Sequence, residues 1–154
     1  MSGFGPQATD LAAKVADGFI STKPDKEMLE RFRSGAKPEA VAQVGFKVAW
    51  APTQDEGVRL AHKIWPNAGL PGELAQILPT PQHFEQASTL VPEEQTRQAV
   101  TAGNYPAKHV EAFAPFTDAG FDEVYVANMG PHFADMLRMY GQDVLPALRK
   151  GHRG

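Results

Sequence analysis

Two stretches near the ends of this chain share one pattern, a strand-like run closed by Gly-Pro and followed by a helix-like run. They are Ser2-Gly3-Phe4-Gly5-Pro6 and Val124-Tyr125-Val126-Ala127-Asn128-Met129-Gly130-Pro131. In each, glycine frees the backbone at the strand end, and proline opens the helix at the position where a missing N–H costs nothing. The pattern specifies parallel β/α architecture. In such folds ligands gather outside the carboxyl ends of the strands, where helix N-termini turn free N–H groups and a positive dipole end towards anions.

Between these two units the same alternation continues. Gln7 to Ala16 has helical spacing, with Leu11, Ala12, Val15 and Ala16 on one face, and Asp17-Gly18 stops it. Phe19-Ile20-Ser21-Thr22 has the composition of a short buried strand. Asp25 is placed to cap a helix striped by Met28, Leu29 and Phe32 and ended by Ser34-Gly35. Val44 to Trp50 reads as the next strand and Asp55 to Trp65 as its helix, burying Val58, Ala61 and Trp65 or Ile64.

From Pro66 to Pro92 prolines and glycines interrupt the rhythm, leaving room only for short helices such as Gly72 to Leu78 and Gln82 to Leu90. Long excursions of this kind on a β/α scaffold carry function or simply pack as inserts. A short helix around Glu93 to Val100, a turn at Ala102-Gly103-Asn104 and a helix from Ala107 to Ala119 follow. The strand Glu123 to Asn128 comes next. A last helix from Pro131 to Arg149 is expected to bury Phe133, Met136 or Leu137, Tyr140, Val144 and Leu148. The expectation is one domain over residues 1–154, with the excursion at about 66–92.

Three recognisable strands with helices, plus a stub at Ser2 to Phe4, fall short of a closed barrel or a doubly wound sheet. Parallel sheets are covered on both faces and closed or capped at their edges, so the remnant exposes edges and inner-face side chains. The chain is therefore expected to be a fragment or to be completed by a partner.

The 154 residues are 42% hydrophobic and 21% charged, with a formal net charge of −3 and no apolar run long enough to span a bilayer. The absence of cysteine excludes a disulfide framework, a thiolate metal site and a cysteine nucleophile. No signal peptide precedes the first helix, so a cytoplasmic setting is expected. Mild acidity without a Lys/Arg cluster argues against nucleic-acid binding, and the short His152-Arg153 end does not change that.

Several motifs, taken in order, resemble the C-terminal half of a luciferase-like oxidoreductase: Gly3-Phe4-Gly5-Pro6, Ala16 to Thr22, Phe46 to Ala51, Trp65-Pro66-Asn67, Leu78 to Ala87, Asp118 to Asp122 and Val144 to Arg149. They are most similar to the branch of glucose-6-phosphate dehydrogenases that use the deazaflavin coenzyme F420. The resemblance implies an α/β fold, part of a (β/α)₈ barrel running from the end of strand five to strand eight with their helices. It also implies a cofactor, F420, with FMN as the alternative, and a small-molecule substrate. The family's catalytic histidine and glutamate, and the tryptophan near the deazaflavin ring, lie in the other half, so no catalytic residue maps here.

Phe4, Gly5, Gln7 and Ala8 match the turn that holds the coenzyme's tail in the relatives, although Gly-Pro also makes a tight βα turn with no ligand. Thr22 matches a substrate-side threonine, and a strand-end hydroxyl also caps backbone. The relatives' phosphate-binding cations are poorly matched: Lys23 and Lys26 lie near one position, Ala75 near another, and Arg97 is displaced from the third. The resemblance thus implies an F420-linked oxidoreductase acting on something other than glucose 6-phosphate.

Lys47 either snorkels outward or points to the ligand side, and Trp50 either lines the mouth or packs at the strand end. His83 and Glu85 lack helical zinc spacing, and no metal site is expected. His62, His109 and His132 stand isolated in the sequence, with His132 placed at the barrel mouth as a helix-start residue. Two functional classes follow. One is a hydride-transferring oxidoreductase in its complete form; the other is a non-catalytic half-barrel, truncated or awaiting a partner chain. Homo-oligomers or a separate N-terminal half are the expected associations.

Overall fold

The computed structural model describes residues 1–151, apart from the side chain of Gln76; His152 and Arg153 lie outside the described residues. Its elements are α1 (Pro6–Val15), β1 (Gly18–Ser21), α2 (Lys26–Gly35), β2 (Val41–Ala49), α3 (Gln54–Ile64), α4 (Leu74–Ile77), α5 (Pro81–Ser88), α6 (Glu93–Ala99), β3 (Thr101–Ala102), α7 (Pro106–Glu111), α8 (Ala114–Ala119), β4 (Glu123–Asn128), α9 (Phe133–Met139) and α10 (Leu145–Gly151). They form two compact units, residues 1–46 with 111–127 and residues 47–110 with 128–154. The chain of β2 runs from the first into the second.

In the first unit β1 lies parallel to β2, with Ile20 opposite Gln43, and Ser2 makes a parallel bridge to Ile20. Of the stub expected over Ser2 to Phe4, only Ser2 pairs, as an isolated bridge. β4 also pairs with β2, and Asp122 fixes its start: its N–H donates to the Ala42 carbonyl at 3.0 Å while its carboxylate accepts the Ala42 N–H at 2.7 Å and an Arg33 N–H at 3.0 Å. Burial raises the Asp122 pKa, but the bonds from Ala42 and Arg33 outweigh it, so the carboxyl titrates below its ordinary value.

One face of this sheet is covered by helices. Phe19, Ala42 and Val44 pack under Leu29 and Phe32 of α2 and Phe116 of α8. Phe19 stacks on Phe32 at 5.1 Å, and Phe46 lies between Phe113 and Phe116 at 5.2 and 4.8 Å. Small residues let α1 approach α2 closely, with Ala12 and Ala13 buried and Ala13 in contact range of Gly35. That approach turns Leu11 and Val15 outward, contrary to the apolar face read from their spacing.

The opposite face is open. Ile20 is 48% exposed and Tyr125 55% exposed, and between them Gln43 Nε2 donates to Glu123 at 2.7 Å and to the Tyr125 hydroxyl at 3.1 Å. Uncovered inner-face side chains are what an unclosed parallel sheet leaves behind.

In the second unit Val48 and Ala49 pair in parallel with Thr101 and Ala102, a strand that the sequence pattern presents only as a turn. Ala49, Ala102 and Met129 form a small core with Val58 and Ala61 of α3, whereas Ile64 and Trp65 are exposed.

Of the two long helices expected from periodicity, residues 107–119 are divided at a proline, whereas the last runs on unbroken from Phe133 to Gly151 with one widened turn. Pro115 has no N–H for the Glu111 carbonyl, and residues 107–119 divide into α7 and α8. Near the C-terminus, Pro146 cannot bond back to Gln142. The chain widens into a π-helical turn over Tyr140–Val144, with the Leu145 N–H donating to the Tyr140 carbonyl. Met136, Tyr140 and Val144 are buried as expected, and Met139 with them, whereas Phe133 and Leu137 are exposed.

Candidate functional site

In the first unit the chain leaves two neighbouring strands at the same end. The Ser2–Ile20 bridge is parallel, so Phe4 and Thr22 each stand two residues beyond a bridged partner. Gly5 has φ 154°, in the region that favours glycine, and nothing lies within 4 Å of where a Cβ would sit. Its carbonyl accepts the Thr9 N–H and the Thr9 hydroxyl, both at 3.0 Å, which locks the first turn of α1. Gly5 brings no side chain to cap that helix, and Pro6 has no N–H. The first-turn N–H groups of Gln7 and Ala8 therefore receive no capping side chain. The arrangement suits an anionic oxygen, which needs backbone donors and room to approach them.

Phe4, Gly5, Gln7, Ala8 and Thr22 thus lie along one end of the strands. Thr22 is exposed and makes no hydrogen bond among the described residues; the backbone-capping role belongs to Ser21, whose hydroxyl donates to the Lys23 carbonyl at 3.0 Å and accepts the Lys23 N–H at 3.1 Å. Lys26 is 3.8 Å from Glu30 along its own helix.

The second unit holds a separate cluster at the ends of β2 and β4. The Trp50 backbone N–H donates to Asn128 Oδ1 at 2.9 Å, the Trp50 and His132 rings are 5.6 Å apart, and His132 Nε2 is 3.5 Å from Glu56. Trp50 is only 7% exposed, so it packs at the strand end. Trp50 Nε1 and Asn128 Nδ2 are buried without a hydrogen-bond partner among the described residues, a condition that costs about 1–3 kcal/mol per group. His132 has a carboxylate and an aromatic neighbour, a grouping invisible in the linear sequence because Glu56 lies 76 positions away (132 − 56).

His62 and His109 also have partners. His62 Nδ1 is 2.9 Å from the Thr96 hydroxyl. His109 is fully buried between the Tyr140 hydroxyl at Nδ1 and the Gly103 carbonyl at Nε2, both at 2.9 Å. A carbonyl only accepts, so Nε2 carries the proton and Nδ1 accepts from tyrosine. Burial lowers the His109 pKa, against the opposing pull of the Gly103 bond, and burial raises that of Tyr140. Among the described residues no three His, Cys, Asp or Glu side chains gather as a metal site would require.

The excursion builds a pocket of about 620 Å³ in the second unit, lined by Trp65, Leu78, Pro79, Pro81 and Phe84, with Ala75, Asn67, Thr80 and Glu85 completing it. Lys47 is exposed, and its Nζ stands 4.3 Å from the centroid of the Trp65 ring in a cation–π contact. Arg97 is held by Asp55 at 2.8 Å, Glu94 at 3.4 Å and Glu93 at 3.8 Å, so its charge is already balanced by carboxylates.

No protein-family model matches the chain. It is 27% identical over 158 aligned positions to the F420-dependent glucose-6-phosphate dehydrogenase of Microbacterium testaceum, covering 95% of this chain and 47% of that protein. It is 26% identical to the enzyme of the same name from Beutenbergia cavernae, covering 97% and 48%. The chain therefore spans about half the length of the curated relatives it matches. Among solved structures it is similar to an F420-dependent secondary alcohol dehydrogenase in complex with an F420-acetone adduct (TM-score 0.72, 17% identity, 96% of this chain and 47% of that one). It is also similar to the coenzyme F420-dependent tetrahydromethanopterin reductase of Methanopyrus kandleri (TM-score 0.66, 15% identity, 96% and 50%). The fold is part of a (β/α)₈ barrel, with β1, β2 and β4 as successive strands.

Proposed function

We propose, from the premise that this chain is homologous to the luciferase-like F420-dependent oxidoreductases, that it forms the coenzyme-tail side of such an enzyme. The complete enzyme moves a hydride between an alcohol-type carbon and the deazaflavin ring. The observation that carries this reading is the Gly5 turn, where a positive-φ glycine with open space at its Cβ position precedes a helix start that no side chain caps. A phosphate of the coenzyme tail fits there because any side chain at position 5 would project into the space it enters. When bound, F420 supplies the hydride chemistry; this chain's residues bind and orient it. Thr22, at the same end of the neighbouring strand, is placed to meet the substrate. FMN, which also bears a phosphate, is the alternative ligand of the same turn.

No residue here matches the family's acid and base, so the chain alone is expected to bind F420 weakly and to turn nothing over. Joined to the N-terminal half of the Microbacterium relative, it is expected to bind tightly and to reduce F420 when an alcohol is added. Gly5→Val should abolish that binding, as read from coenzyme fluorescence. Unchanged binding by Gly5→Val, or a folded chimera that ignores F420, overturns the reading.

A further inference from the structure

Two buried hydrogen-bond donors at the ends of β2 and β4, Trp50 Nε1 and Asn128 Nδ2, have no acceptor among the described residues. The orientation of the Asn128 amide is fixed by chemistry, because its Oδ1 accepts the Trp50 backbone N–H at 2.9 Å and an amide nitrogen could not. Nδ2 therefore has N–H groups to give and no lone pair to offer, and an indole N–H likewise only donates. Buried donors left unpaired are costly, so this corner gains most from a group that accepts.

The surrounding charges narrow what that group is. N–H donors repel cations, which excludes an ammonium group or a metal ion. A free anion meets the Glu56 carboxylate, which stands 3.5 Å from His132 Nε2, and the His132 ring in turn lies 5.6 Å from that of Trp50. Asp55 adds a second carboxylate to the same first turn of α3, although Arg97 balances it at 2.8 Å. A neutral oxygen is left. The Glu56 contact with His132 is longer than the roughly 2.7–2.9 Å of a charge-assisted hydrogen bond, so Glu56 retains capacity to accept an N–H. A carboxamide meets both needs, with two lone pairs on its carbonyl oxygen and an N–H₂ that donates to a carboxylate.

We propose that the ends of β2 and β4 form a binding site for a neutral carboxamide, its carbonyl oxygen held by Trp50 Nε1 and Asn128 Nδ2 and its N–H₂ turned to Glu56. His132 links the two sides, with its ring against Trp50 and Nε2 towards Glu56. The site lies within the second unit, needs no coenzyme and shares no residue with the Gly5 turn or the excursion pocket.

The test uses the full chain with acetamide as the probe. The chain has two tryptophans, so Trp65→Phe leaves Trp50 as the sole indole, and its ultraviolet resonance Raman N–H band reports whether that N–H is bonded. In buffer at about pH 8 the band is expected at its unbonded position. Acetamide should move it to the bonded position and saturate at about millimolar concentration, as suits so small a ligand. Asn128→Asp keeps the oxygen that accepts the Trp50 backbone N–H and replaces Nδ2 by a second oxygen. It should weaken acetamide at least about tenfold, with circular dichroism checking the fold. Acetate has the same shape and a charge; it should bind at least about tenfold more weakly than acetamide, and Glu56→Gln should narrow that gap.

A bonded band in buffer that acetamide leaves unchanged means an enclosed water only and overturns the proposal. So does the lack of a saturable shift, equal binding of acetate and acetamide, or an unaltered response in folded Asn128→Asp. Where Asn128→Asp does not fold, the comparison of acetate with acetamide decides alone.

Discussion

His109 shows how one side chain acts far beyond its sequence neighbourhood. Its two ring nitrogens join the Gly103 carbonyl, just after β3, to Tyr140 in the π-helical turn. The folded ring is held neutral by burial, so its pKa lies below the ordinary value of 6.5. Below that ordinary value the unfolded chain takes up a proton that the folded chain refuses, and stability is lost as the pH falls from 6.5 towards the folded pKa. Denaturant titrations at successive pH values should show this loss. His109→Phe should be flat in that window and less stable at pH 7.5 by about 1–3 kcal/mol, because the Gly103 carbonyl loses its donor. Equal slopes for the two proteins would exclude the assignment. None of this was legible in the sequence, where His109 stands alone; pairing it with Tyr140 requires knowing how α7 and the last helices pack.

At the scale of elements, starts were more legible than stops. Asp25, read from the sequence as a cap, accepts the Met28 N–H at 3.0 Å, and Thr53, which that reading did not single out, caps its helix by accepting the Glu56 N–H at 3.2 Å. Asp25→Ala and Thr53→Ala should each lower stability by about 1 kcal/mol in chemical denaturation, and Thr53→Ser should be nearly neutral. A silent Thr53→Ala would show that tertiary packing of Val58 and Ala61, and not the cap, holds α3. The strands emerged from local composition within a few residues. The break at Pro115 and the widened turn before Pro146 were equally present in the sequence, but helical periodicity on both sides masked them. The two-residue strand β3 carries no composition of its own and exists because Val48 and Ala49 offer it backbone partners.

At the scale of the whole molecule, the open sheet face decides behaviour in solution. Ile20, Val41 and Tyr125 are exposed apolar or aromatic groups on β1, β2 and β4, a surface that favours association. Light scattering of the purified chain should report oligomers, and Ile20→Lys should reduce them without changing the circular dichroism. A monodisperse monomer with one cooperative thermal transition would contradict this. The sequence by itself determined the β/α alternation, the positive-φ Gly-Pro turns and the helix caps, because each depends on backbone preferences of a few adjacent residues. Only tertiary structure decided which apolar residues are buried, that His132 meets Glu56, and that the excursion forms an open, mostly apolar pocket. Those outcomes depend on how closely separate elements approach, which the side-chain volumes of residues distant along the chain set together.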